Sequence, residues 1–101
     1  MIKTDLCEEE DRLVMYFEGR LDTPDAEKVK REMKPLYECH DKNIVLDFTN
    51  LKYVCSSGLR LFLTLLQEGR TKGCTVSCTN LSPYIRRVFD ETGFTRLFKI
   101  S

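Results

Sequence analysis

The reactive side chains of this sequence are concentrated at Cys55-Ser56-Ser57-Gly58, a thiol followed by two hydroxyls and a glycine. A serine nucleophile needs a base within hydrogen-bonding reach. The sole histidine, His40, sits far upstream beside Cys39 with no evident orienting partner. Asp22 and Asp47 offer two carboxylates, but no metal-ligand spacing joins them, and the glycine-rich loops that cradle phosphates are missing. The sequence has no Cys-x-x-Cys pair, and Cys39, His40, Cys74 and Cys78 are not read as a structural zinc site. The expectation is a protein that is not an enzyme and carries no metal or cofactor.

Modification suits the same residues better. A serine at a helix N-terminus is held by its turn and is accessible to a kinase, and phosphate there adds nearly two negative charges. The first-turn amides and the helix dipole welcome an anion, so the fold tolerates the change. A partner docked over the corner does not, because a dianion against apolar or acidic surface costs desolvation and repulsion. The simpler alternative is that Ser56 and Ser57 serve only as helix caps. Cys55 adds another: a thiol near a helix N-terminus has a lowered pKa and raised reactivity when it is accessible.

The elements that position these residues follow from periodicity. Ile44-Val45-Leu46-Asp47-Phe48 is an apolar run with one polar member, as expected of a strand buried on both faces. A polar break, Thr49-Asn50-Leu51-Lys52, separates it from Tyr53-Val54. Leu59, Phe62, Leu63 and Leu66 then recur at helical spacing, widened by Leu61 and Leu65, with Ser56 or Ser57 as N-cap. Upstream, Ile2-Thr4-Leu6 and Leu13-Met15-Phe17 alternate around a charged turn and predict a hairpin. Gly19 to Pro24 ends the second strand. A helix follows, capped by Asp22 or Thr23, with Ala26, Val29, Met33 and Leu36-Tyr37 as its apolar stripe and a kink or end near Lys34, before Pro35. Downstream, Cys74 to Cys78 alternates as a strand. Leu81, Ile85, Val88 and Phe89 form a third helical stripe, capped by Ser82 and stopped near Gly93. Leu97 to Ile100 makes room for a short last strand. The order ββαβαβα, with a possible final β, predicts an α/β fold with a mixed sheet of four to five strands and helices packed against it. Asp47 and Cys55-Ser56-Ser57 are expected to converge at the C-terminal ends of its strands.

With 101 residues, 42% hydrophobic and 32% charged, the chain has the composition of one ordinary globular domain spanning residues 1–101. Sixteen Lys and Arg balance sixteen Asp and Glu, so no overall field draws it to nucleic acid or to a membrane surface. No run approaches the roughly 20 apolar residues of a membrane span. Met1 to Leu6 lacks the apolar core of a signal peptide. A cytoplasmic setting follows, with the odd set of five cysteines held as reduced thiols.

Leu46-Asp47-Phe48 followed by Tyr53-Val54-Cys55-Ser56-Ser57-Gly58-Leu59 resembles the signature of STAS domains, the fold of bacterial anti-sigma factor antagonists. Gly19-Arg20-Leu21-Asp22, Asn80-Leu81-Ser82-Pro83, Arg87-Val88-Phe89 and Thr92-Gly93-Phe94 match the family in the same order, across nearly the whole chain. The resemblance implies a regulatory protein whose partner is an anti-sigma factor with serine kinase activity. Phosphorylation falls on Ser56, with Asp22, Asp47, Cys55, Ser57 and Gly58 around it. Cys55 stands where most of these antagonists have aspartate. That departure leaves two further readings open: a non-phosphorylated STAS subunit of an ABC lipid-transport or stress-signalling complex, and a redox sensor acting through Cys55.

Overall fold

Alternating side chains and one covered face generate the sheet. The computed structural model describes residues 1–101. Strands β1 (Ile2–Glu8) and β2 (Arg12–Leu21) form the antiparallel hairpin. A 3-10 turn (Thr23–Asp25) and helices α1 (Ala26–Glu32) and α2 (Lys34–Glu38) lead to β3 (Asn43–Val54). Helix α3 (Ser56–Thr71), β4 (Thr75–Thr79), α4 (Pro83–Thr92), α5 (Phe94–Leu97) and β5 (Lys99–Ile100) complete the chain. The five strands lie in the order β1-β2-β3-β4-β5, parallel except for the first pair. Helix α5, a single turn held between Gly93 and Phe98, was not visible as a periodic stripe.

The helices cover one face of the sheet. Leu13, Met15 and Phe17 of β2, Ile44, Leu46 and Phe48 of β3, and Val76 and Cys78 of β4 join a single buried cluster of 23 residues with the inner faces of the helices. The alternate positions Tyr16, Thr75 and Ser77 remain exposed or half-buried. β3 is therefore not buried on both faces: Val45 and Asp47 are only half-buried. All six phenylalanines join one chain of ring contacts, from Phe17-Phe48-Phe62 at 5.2–5.4 Å to Phe89, Phe94 and Phe98 at 5.3–6.0 Å. These rings fasten α3 and α4 to the central strands.

Two strands run further than sequence pattern indicated. β2 continues through Gly19, whose φ of +104° is open to glycine without a side-chain penalty, and ends at Leu21. β3 continues through the polar break to Val54. The register with β2 slips twice there, Tyr16↔Asp47 giving way to Glu18↔Asn50 and Gly19↔Leu51 to Arg20↔Tyr53. Each slip sets two β3 residues against one on β2, the arrangement of a bulge. The polar residues occupy bulges in one strand rather than a loop between two. The kink before Pro35 does occur, with Met33 joining α1 to α2. On α3 the buried stripe is Gly58, Phe62, Leu65, Leu66 and Gly69, turned away from Leu59 and Leu63, which stay half-buried.

Candidate functional site

The corner at the start of α3 is built by one backbone bond and one close packing contact. The Cys55 amide donates to the Leu21 carbonyl at 2.9 Å, tying the end of β3 to the end of β2 and bringing Asp22 beside the helix start. Gly58 then lies directly on those strand ends. A Cβ at this position would meet Leu21 Cδ2 at 2.6 Å, Leu21 Cγ at 2.9 Å and Val54 Cγ2 at 2.9 Å. Glycine is required here by the chain's own packing.

Cys55, not either serine, is the N-cap residue: its backbone is extended (φ −87°, ψ 173°), and its carbonyl accepts from Leu59 N at 3.0 Å. The thiol makes no capping hydrogen bond and is only 8% exposed. Ser56 and Ser57 are the first two helical residues. The expectation that one of them caps the helix fails because the chain turns helical one residue earlier. As a result the Ser56 hydroxyl is exposed and free of any capping role. The first-turn amides lack a side-chain acceptor and point outward with the positive end of the helix dipole. Ser57 is half-buried and faces the other way, lining a groove of ≈ 920 Å³ between α1–α2 and α3 together with Thr23, Lys30, Tyr37 and Arg60.

Asp22 is half-buried and forms an ion pair with Arg20, its Oδ2 3.6 Å from Arg20 Nε. Its own amide donates to Asp25 Oδ2 at 3.3 Å, which holds the turn into α1. The Arg20 guanidinium also lies 4.3 Å from the centre of the Tyr53 ring, and Tyr53 stacks on Tyr84 with centroids 6.1 Å apart and planes 20° apart. Tyr84 is 40% exposed. The surface around Ser56 thus carries a line Asp22–Arg20–Tyr53–Tyr84, and arginine and tyrosine are the side chains that most often dominate binding at interfaces. Sequence reasoning missed the aromatic part of it. Tyr84 lies a whole crossover away from Tyr53, and only the docking of the α4 N-terminus beside β3 joins them.

Asp47 does not belong to this corner. It lies in mid-strand, eight residues before Cys55 along β3, which places it about 20 Å away. Its Oδ1 accepts from Thr49 N at 2.9 Å and from Thr49 Oγ1 at 2.6 Å, and its Oδ2 accepts from Asn80 Nδ2 at 3.3 Å. It shapes the β3 bulge and the loop after β4, where Asn80 holds a φ of +60°. The expected convergence does not occur, because pairing with β2 carries β3 on through Thr49 to Lys52 as far as Val54. His40 is exposed after α2, near the far end of α3 and about 24 Å from Ser56. No three His, Cys, Asp or Glu side chains gather as metal ligands, and no helix is long and apolar enough to cross a membrane.

A five-stranded mixed sheet with helices on one face and a serine-bearing helix start at the parallel strand ends defines the class. The chain belongs to the STAS domain family, whose model matches residues 3–101. It is 30% identical over 90 residues to BtrV of Bordetella bronchiseptica, which is named as a candidate anti-sigma factor antagonist; the match covers 88% of this chain and 77% of BtrV. It is 25% identical over 100 residues to the anti-sigma-B factor antagonist of Bacillus subtilis, covering 99% of this chain and 91% of that protein. In fold it resembles the anti-sigma factor antagonist SpoIIAA in its unphosphorylated form, with a TM-score of 0.82 and 22% identity over 98% of this chain and 88% of SpoIIAA. The phosphorylated Bacillus SpoIIAA also shares the fold, with a TM-score of 0.75 at 22% identity over 98% of this chain and 91% of that one.

Proposed function

We propose that this protein is a non-enzymatic, cytoplasmic anti-sigma factor antagonist that docks its Ser56 corner on an anti-sigma factor with serine kinase activity and is released by phosphorylation of Ser56. The observation that carries the reading is the exposed Ser56 hydroxyl, left free because Cys55 takes the N-cap position. Asp22, Cys55 and Ser57 surround it, Gly58 sets the helix on the strands, and Arg20, Tyr53 and Tyr84 extend the contact surface. The names of BtrV and the anti-sigma-B factor antagonist support the choice of partner. The two solved forms of SpoIIAA support the choice of switch.

Incubation with the anti-sigma kinase and ATP should add a single phosphate, and Ser56→Ala should abolish it. Ser56→Asp should weaken the complex about a hundredfold, roughly 2.8 kcal/mol, with little change in melting temperature. Phosphate on another residue, or none from a kinase active on its own antagonist, would refute the switch. Cys55, in place of an aspartate, favours one alternative, a constitutive STAS subunit of a larger assembly such as an ABC lipid-transport or stress-signalling complex. Affinity capture from the native host separates the two, because membrane ATPase components and anti-sigma kinases have distinct masses.

A further inference from the structure

At the opposite end of α3 from Ser56, Cys39 Sγ and Cys74 Sγ lie 3.5 Å apart, although their residues are 35 positions apart in the chain. Cys39 follows the last turn of α2, and Cys74 leads into β4. The backbones that carry them are already pinned together. The Asp41 amide donates to the Lys72 carbonyl at 3.0 Å, and the Thr75 amide donates to the Lys42 carbonyl at 3.1 Å. The Lys72 ammonium donates to the Tyr37 carbonyl. Cys74 Sγ also lies 3.5 Å from the Cys39 carbonyl oxygen. The sulfur atoms are thus in contact across a hydrogen-bonded seam, 3.5 Å apart where a disulfide holds them at about 2.05 Å.

We propose that Cys39 and Cys74 form a reversible modification site, oxidised to an intramolecular disulfide by low-molecular-weight disulfides of the glutathione class. The Cys39 thiolate attacks one sulfur of the small disulfide and expels a thiolate, leaving a mixed disulfide on Cys39. Cys74, as thiolate, attacks Cys39 Sγ and expels the second small thiolate. The two protons of the protein thiols pass to the released thiolates, so one small disulfide is reduced to two thiols as the protein gains one S–S bond. Cys39 is the entry point because it is partly exposed, whereas Cys74 is 8% exposed. Burial first, and then the neighbouring Cys74, push the Cys39 thiol up to about 11, so its thiolate is scarce at neutral pH and the exchange is slow. The bond would close a 35-residue separation and staple α2 to the start of β4. The Ser56 corner lies about 24 Å away, at the other end of α3.

The full chain is incubated with oxidised glutathione at mildly alkaline pH, and then examined by intact mass, non-reducing peptide mapping and thermal unfolding. The expected product is a monomer lighter by two hydrogen atoms, in which the Cys39 and Cys74 peptides are joined. Its melting temperature is higher by about 10 °C or more, as loop closure in the unfolded chain requires, and a thiol reductant restores the starting value. Cys39→Ser should lose both the link and the shift, and Cys7→Ser should lose neither. Should Cys39→Ser fold poorly, Cys74→Ala and the map of the unaltered chain decide. A stable glutathione adduct without a link, a bond through Cys7, or a Cys39 and Cys74 that remain open to alkylation would overturn the proposal. None of these readouts depends on Ser56 or on a partner.

Discussion

Replacing Gly58 by alanine separates the packing account of the helix start from any account in which the glycine makes room for a partner. In an open helix the change would help: alanine exceeds glycine in helix propensity by about 1 kcal/mol, and it narrows the unfolded ensemble. Here the new methyl would stand 2.6 Å from Leu21 Cδ2, 2.9 Å from Leu21 Cγ and 2.9 Å from Val54 Cγ2. Leu21 is fully buried and Val54 nearly so, and a β-branched valine turns poorly about χ1. Relief therefore requires buried side chains to shift within the core or α3 to lift off the strand ends. Overpacking costs about 1–3 kcal/mol, and three contacts below 3 Å put this case in the upper part of that range, about 2–3 kcal/mol. After the propensity gain the net destabilisation should be about 1–2 kcal/mol. For a domain of this size that lowers the melting temperature by about 5–15 °C. Urea unfolding should show a lower midpoint at unchanged slope. An unchanged or higher melting temperature would refute the packing argument. If binding were also lost in that case, the glycine would belong to the partner's footprint instead.

Tyr37 should make the fold sensitive to alkali. Burial first, and Glu68 second, raise its phenol to about 12 from 10.0. Stability from the neutral phenol is therefore complete below about pH 10 and is lost as the pH climbs toward about 12. Tyr37→Phe should remove that loss and cost about 1 kcal/mol at neutral pH, because the hydroxyl donates to the Leu61 carbonyl at 2.8 Å; chemical denaturation across the alkaline range reads both effects. Ser82→Ala should cost about 1 kcal/mol, because Ser82 Oγ accepts from Ile85 N at 3.2 Å as the N-cap of α4; thermal unfolding measures it. Phe62→Ala should cost about 3–5 kcal/mol by opening the ring cluster that fastens α3 to β2 and β3, and a variant melting within a few degrees of the parent would contradict that account.

The parts of the fold that depend on short-range periodicity were readable in the chain: the hairpin, the order of strands and helices, the Ser82 cap, the Gly93 stop and the break before Pro35. The misreadings came from places where neighbouring elements decide. Thr49 to Lys52 is polar enough for a loop, yet pairing with β2 holds it in the sheet through two bulges. Alternation within Ile44 to Phe48 was masked by Val45, an apolar residue on the uncovered face. Ser56 was legible as a helix-start serine, but its freedom from capping was not. That depends on where the Cys55–Leu21 bond ends the strand, a contact between residues far apart in sequence. The stacking of Tyr53 on Tyr84 and the contact of Cys39 with Cys74 have the same origin in tertiary docking, and no spacing rule finds either.

The consequence for a switch at Ser56 is one of location. A phosphate on the first helical residue would sit among amides that Cys55 leaves without a side-chain acceptor, at the positive end of a helix running to Thr71. Arg20 lies nearby, shared between Asp22 and Tyr53. These groups offset the repulsion from Asp22 and leave the folded chain almost indifferent to the added charge. Against an apolar or acidic partner surface the same dianion would have to be desolvated and would be repelled, which weakens the complex. The free energy of modification is then expressed almost wholly in the complex. An aspartate at position 55 would alter that balance by occupying the first-turn amides itself. Cys55→Asp should therefore make the fold less tolerant of phosphate on Ser56, seen as a larger drop in melting temperature on phosphorylation than in the parent chain.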